Sequence, residues 1–358
     1  MKLKFFCLLV CCLSLCGCAE NSVAVPEPVQ EATVSSESET TAPVSDPAVV
    51  DLFAMDTYMN LKAWCDKSVV NEGVSLIESL ESTLSVTSPD SDTSHINQSN
   101  GTPVTVSEDT VKLIQTALKI GEESSGALDI TVYPVLKEWG FTTQDYKIPD
   151  ADTLSELLSR VDDAQIQLNG SSVTLPEGYA LDFGSLAKGY TSDRLMQLFR
   201  ENGAQSAIVN LGGNVQTLGC KPDGSLWTVA VTNPFSISEN LCIFKVENKA
   251  VITSGNYERF FTGEDGKNYW HIIDPSDGYP ADNGLVSVTV VGESGLLCDA
   301  LSTALFVEGT DKAIAHWKKS DDFEIILVTD DQRILVSENL TDTFQNTSSL
   351  PVEVISRE

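Results

Sequence analysis

The sequence predicts an α+β fold, a largely antiparallel sheet with packed helices in a single large domain over residues 51–358, and three observations carry that expectation. Short β-rich runs bounded by glycines succeed one another at 227–232, 241–246, 250–253, 268–273 and 285–291, which is the pattern of antiparallel strands and not of repeated βαβ units. Apolar residues at a helical period mark amphipathic helices over 68–82, 110–122 and 186–199, while 294–307 is apolar nearly all round and should be a buried helix. Glycines at GxGxxG spacing are absent, so a dinucleotide-binding Rossmann domain has no support.

Two segments precede the domain. Residues 1–17 join Lys2 and Lys4 to an apolar core at 5–15, too short to span a bilayer and built like a secretory signal. The segment runs into Leu15-Cys16-Gly17-Cys18, the form of a lipobox. Cys18 is therefore expected to become a lipidated N-terminus that anchors the protein to the cell membrane at its extracytoplasmic face; a plain signal peptide is the alternative. Residues 18–50 are rich in Ser, Thr, Glu, Pro, Val and Ala with no basic residue, and are expected to form a disordered polar tether.

The formal net charge of −30 disfavours binding to nucleic acid or an anionic membrane surface. An anionic ligand would need a local positive device, either a metal or a helix start. Of nine cysteines, only Cys65, Cys220, Cys242 and Cys298 belong to the domain; none forms a CxxC pair, so no zinc site is expected.

The stretch at 181–214, LDFGSLAKGYTSDRLMQLFRENGAQSAIVNLGGN, organises the domain. An apolar-acidic lead at 180–183 reads as a strand running into Gly184, and a helix follows with Lys188 in its first turn. Gly203 ends that helix, and a second strand at 206–211 stops at Gly212-Gly213. Glycines and unpaired N–H groups at the helix start let an anion approach the backbone, with Asp182 and Lys188 beside it. An ordinary strand–helix–strand unit has the same spacing.

Three further places carry chemistry. Residues 54–61 alternate like an opening strand and contain Met55, a core residue or a ligand contact. His271, one of three histidines, has Asp274 three residues on and Arg259 across an expected hairpin; such a histidine is more often structural than catalytic. Asp299 and Thr303 lie one turn apart on the buried helix, where a carboxylate needs a cation or a dense hydrogen-bond set. Capping of a neighbouring loop by Asp299 is the simpler alternative.

The run at 181–190, followed by Val209-Asn210-Leu211-Gly212-Gly213-Asn214, resembles the signature of the ApbE family of FAD:protein FMN transferases. Blocks at 55–57, 125–134, 253–261, 271–275 and 294–307 resemble the family in the same order. The resemblance implies an ApbE-like, T-fold-like domain that takes FAD as substrate with Mg2+ as cofactor. It implies transfer of FMN to a Thr or Ser hydroxyl of an acceptor protein, with AMP leaving. The acceptor would carry a Ser/Thr-Gly-Ala-Ser/Thr motif in an FMN-binding domain, a membrane electron-transport subunit being one candidate. Carried over residue by residue, Met55, Ala127, Leu128, Asp129, Asp182, Lys188 and the Ile273 backbone would contact FAD. The Ser185 carbonyl, Asp299 and Thr303 would hold Mg2+, and His271 would assist proton transfer. Two residues depart from the pattern: Asp56 replaces a glycine, and Thr87 stands where an aromatic ring often covers the flavin. With water as acceptor the same site would be an FAD pyrophosphatase, and a non-catalytic flavin-binding lipoprotein is the third alternative.

Overall fold

Nine strands build the main sheet of the computed structural model, which describes residues 46–358: β1 (Ala48–Ala54), β2 (Thr57–Ala63), β3 (Ala207–Leu211), β4 (Asn214–Leu218), β5 (Ala250–Gly255), β6 (Leu285–Gly292), β7 (Phe323–Thr329), β8 (Ile334–Ser337) and β9 (Val352–Ile355). Their order in the sheet is their order in the chain. Every pairing is antiparallel except β8 with β9, in agreement with the expected fold class. The signal segment, Cys18 and the tether up to residue 45 lie outside the described residues.

Alternation along the central strands separates two apolar layers. Ile252, Val288, Val290, Ile325 and Leu327 join the core under the helices, whereas Val251, Val291, Ile326 and Val328 join one beneath a small three-stranded sheet containing Trp227–Asn233 and Ser236–Val246. Because both faces are covered, β6 is buried along its whole length.

Four long helices form the layer on the first face, α1 (Lys67–Leu84), α2 (Glu108–Glu123), α3 (Ala187–Glu201) and α4 (Gly295–Glu308), with α2 resting on α1 and α4, and the short helix Thr310–Trp317 joins them on β7. In α2, Ser107 caps the Thr110 N–H, acids occupy the first turn, and Leu113, Ile114, Ala117 and Ile120 form the buried stripe. α4 is packed against β5, β6 and α3, which is why its sequence shows no polar face.

Several expectations need correction. β1 starts at Ala48, inside the segment expected to be tether. The expected strand at 54–61 is interrupted, because Met55 and Asp56 have φ of 48° and 62° and form the two-residue turn between β1 and β2. Aspartate is among the few residues that tolerate this left-handed conformation, so Asp56 can replace a glycine there. The lead at 180–183 forms no strand. The Asn97 side chain holds it, accepting from Leu181 N at 2.8 Å and donating to Leu181 O at 2.9 Å. The strand expected over 268–273 stops at Trp270, leaving Ile273 an isolated bridge to Pro280.

Candidate active site

α3 and α4 touch at Gly189 and Gly295, where a Cβ on either residue would strike the other's carbonyl oxygen. This contact brings Asp299, one turn into α4, against the first turn of α3. Asp299 Oδ2 accepts the Gly189 N–H at 2.7 Å and Oδ1 accepts from Asn214 Nδ2 at 3.0 Å. Gly189 is the third residue of α3, where a helix's own ladder leaves the N–H without a partner, so Asp299 caps the start of α3. The first N–H bonded back to the residue that precedes the helix is that of Tyr190, to Leu186 O at 2.9 Å. Ser185 precedes the helix, and among the described residues no backbone N–H takes its carbonyl.

One turn after Asp299, Thr303 Oγ1 lies 3.4 Å from Ser254 Oγ on β5, which in turn lies 2.8 Å from Ser302 Oγ. The carboxylate of Asp299, the hydroxyl of Thr303 and the Ser185 carbonyl are all hard oxygen donors, a set that fits Mg2+. Among the described residues no three His, Cys, Asp or Glu side chains form a metal cluster. Burial raises the Asp299 pKa, against the pull of Lys188 and of its two hydrogen-bond donors, so the carboxylate lacks a full counter-charge.

These oxygens form one end of a cleft of about 930 Å³, and every site residue expected within the domain lines it: Met55, Ala127, Leu128, Asp129, Asp182, Ser185, Lys188, His271, Ile273, Asp299 and Thr303. Lys188 and Arg259 supply its positive charge. The ion pairs among the described residues all involve other side chains, which leaves both cations free for a ligand. Arg259 is aimed by its bond from Nη2 to Phe141 O at 2.8 Å. Asp182 Oδ1 accepts the Gly184 N–H at 2.7 Å, and its raised pKa comes from burial, opposed by that N–H and then by Arg259 and Lys188.

His271 follows the strand Asn268–Trp270, which pairs with Phe260–Thr262 in the expected hairpin. Its Nδ1 lies 3.2 Å from Arg259 O. A carbonyl only accepts, so Nδ1 carries the proton and Nε2 keeps a lone pair. Water reaches the ring, but the cleft walls crowd it; that desolvation, then Arg259 and Lys188, pushes its pKa down to about 3. Asp274 makes no hydrogen bond to it; its carboxylate accepts from Ser276 N at 2.8 Å.

The ApbE family model matches residues 55–327. This chain belongs to the ApbE family. An FAD:protein FMN transferase of Klebsiella pneumoniae is 35% identical over 277 residues, covering 76% of this chain and 85% of that protein. One from Treponema pallidum is 32% identical over 293 residues, covering 77% and 81%. Among solved structures, the ApbE protein of Thermotoga maritima superposes with a TM-score of 0.77 at 30% identity, covering 83% of this chain and 99% of that one. The flavin transferase ApbE of Vibrio cholerae gives 0.73 at 26%, covering 85% and 97%.

Within this ApbE chain, the cleft also contains residues that sequence reasoning passed over. Glu258 faces the cleft, where crowding by the walls, then Asp299, raises its pKa to about 7 against Lys188 and Arg259. Asn214 and the Gly189 N–H orient Asp299, and Ser254 holds Thr303. The only sequence signal for them was membership of glycine-marked blocks. Thr87 does line the cleft, bonded to Ser85, and the aromatic side chains on its walls are Phe141, Phe183 and Tyr257.

Proposed function

We propose that this protein cleaves FAD at its pyrophosphate and transfers FMN to a Ser or Thr hydroxyl of a partner flavoprotein, releasing AMP, with Mg2+ bound by Asp299, Thr303 and the Ser185 carbonyl. The observation that carries the proposal is one cleft lined by the buried carboxylate of Asp299, by Ser185, whose carbonyl no backbone N–H takes among the described residues, and by Lys188 and Arg259, which no carboxylate pairs among those residues. The relatives named FAD:protein FMN transferase support it. Bound Mg2+ would neutralise pyrophosphate charge and polarise the phosphorus under attack. Lys188 and Arg259 add fixed positive charge that needs no rearrangement as the leaving group departs. The acceptor oxygen forms a bond to the FMN phosphorus, the bridging P–O bond breaks toward AMP, and His271 Nε2 takes the hydroxyl proton.

Incubation with FAD, Mg2+ and an acceptor bearing the Ser/Thr-Gly-Ala-Ser/Thr motif tests the proposal. Transfer gives flavin that survives denaturing gels on the acceptor, with stoichiometric AMP. Water also reaches this cleft, so an FAD pyrophosphatase is the competing outcome: AMP and free FMN would form at one rate with or without acceptor. We propose in addition that a lipid on Cys18 holds the domain at the extracytoplasmic face of the membrane, motivated by Leu15-Cys16-Gly17-Cys18. Cys18→Ser should release the protein from the membrane fraction with activity intact, and unchanged retention would refute the anchor.

A further inference from the structure

We propose that Asp193 is the positioning residue of this site: from outside the cleft it fixes the register of α4 on α3 and so keeps the Ser185 carbonyl, Asp299 and Thr303 available as a set. The inference rests on the reading of those three oxygens as a divalent-cation site. Asp193 lies one turn beyond Gly189 on α3, and its carboxylate accepts four hydrogen bonds, all from other elements. Oδ1 takes the Gly295 N–H at 2.6 Å and Gln216 Nε2 at 2.8 Å; Oδ2 takes Ser294 Oγ at 2.8 Å and the Leu296 N–H at 3.0 Å. The two N–H groups belong to the first turn of α4, whose own ladder leaves them without partners. Asp193 therefore caps α4 from a neighbouring helix, with its negative charge at the positive end of the helix.

The bond from Gly189 N to Asp299 Oδ2 is the counterpart of this cap. Each helix lends an aspartate to the start of the other: Asp193 of α3 to Gly295 and Leu296, Asp299 of α4 to Gly189. β4 ties both to one ruler. Asn214 and Gln216, two residues apart on the same face of that strand, donate to Asp299 and Asp193 respectively. Gln216 is itself fixed, because its Oε1 accepts from Ser192 Oγ.

The register matters because Asp299 reaches the first turn of α3 only through the Gly189 N–H, so the place of its carboxylate depends on where α4 sits. While Asp193 holds α4 in place, Asp299 stays on that N–H and at the cleft. Without that hold, α4 can slip, and the cation set loses a donor as the carboxylate swings away. Asp193 thus acts through Gly189 and Asp299 and touches neither FAD nor the cation.

Mn2+ binding followed by electron paramagnetic resonance, alongside thermal melts of the intact protein, tests this without relying on turnover. Asp193→Asn places an amide against donors and should weaken Mn2+ binding about 10-fold or more, the usual effect of removing an outer support of a metal site. FAD binding without metal should change little. Ser294→Ala removes one of the four bonds, together with the Ser294 cap on the Leu297 N–H, and leaves the backbone pair, so a smaller loss, about 2-fold to 3-fold, is expected in a protein that still folds. A folded Asp193→Asn protein with wild-type Mn2+ affinity, its melting point alone lowered, would show a merely structural role and overturn the proposal. Should that variant fail to fold, unchanged affinity in Ser294→Ala overturns it instead. Asp299→Ala separates the two levels. If wild type binds Mn2+, Asp299→Ala does not, and Asp193→Asn matches wild type, only the role of Asp193 fails; if wild type binds none, the cation site fails and the proposal with it.

Discussion

Asp299 and Asp129 line the same cleft, and burial raises the pKa of both, yet their hydrogen bonds give them different work. An ionised carboxylate offers about four acceptor positions. Asp299 uses one on each oxygen, for Gly189 N and Asn214 Nδ2, and keeps the rest for the cleft. Asp129 turns inward: Oδ1 accepts Thr131 N at 2.7 Å and Thr131 Oγ1 at 2.6 Å, and Oδ2 accepts Asp163 N at 3.1 Å. It caps the short turn Ile130–Val132 and pins the segment that starts at Asp162. Depth in a cleft is therefore a poor guide to role; what separates the two aspartates is who already occupies their oxygens.

Mutation of each should separate the two. Asp299→Ala should lower FMN transfer about 10³-fold, read as AMP release, in a protein that still melts cooperatively. An equal loss in Asp129→Ala would erase the distinction. His271→Ala should come next, at about 10²-fold in kcat with FAD affinity little changed. With its pKa near 3, His271 is neutral throughout the working range, so kcat/KM should show no histidine limb between pH 5 and 8. A limb near 7 belongs to Glu258, and Glu258→Gln should remove it.

For Asp129→Ala the expected change is in stability, a loss of about 1–2 kcal/mol in urea unfolding from the missing cap, with turnover within about 10-fold of wild type. The smallest effect is expected at Asp163, whose pKa is pushed up to about 7 by burial, then by Asp129 and Asp162. Folded above unfolded means that the native state holds an extra proton between about pH 4 and 7, so stability from this group is present at pH 4 and is lost as pH rises to 7. Asp163→Asn should flatten that part of the melting-temperature profile; an unchanged slope would place the carboxylate in ordinary solvent.

The sequence made the antiparallel strands and the long helices legible because their apolar periods are set by the core they pack. Cleft-lining residues on those elements, such as Asp299 and Thr303 one turn apart on α4, could be placed for the same reason. Local alternation misled at 54–61, since a two-residue turn at Met55 and Asp56 keeps the same apolar–polar rhythm as an unbroken strand. It misled again at 180–183, where the backbone is held by distant partners, the Asn97 side chain and the Ile130 carbonyl, that no local window contains. β7 to β9 were not anticipated at all, although Phe323–Thr329 is a plain buried strand. The division of labour between Asp299 and Asp129 was out of reach of the sequence, because it depends on donors contributed by Gly189, Asn214 and Asp163 from other parts of the chain.

β2 and β3 lie side by side in the sheet, paired from Ala63 with Ala207 to Met59 with Leu211, while α1, α2 and all the chain between them loop away and return. The hairpins β1–β2 and β3–β4 close locally and can form in about 1–10 μs. Joining them requires a long loop to be closed first, and such non-local pairings are slow. Met55, Asp56 and Thr57 stand on one side of this seam and Gly212 and Gly213 on the other, so these two parts of the cleft wall meet only when the seam zips. A half-folded chain would keep the cleft open along that wall.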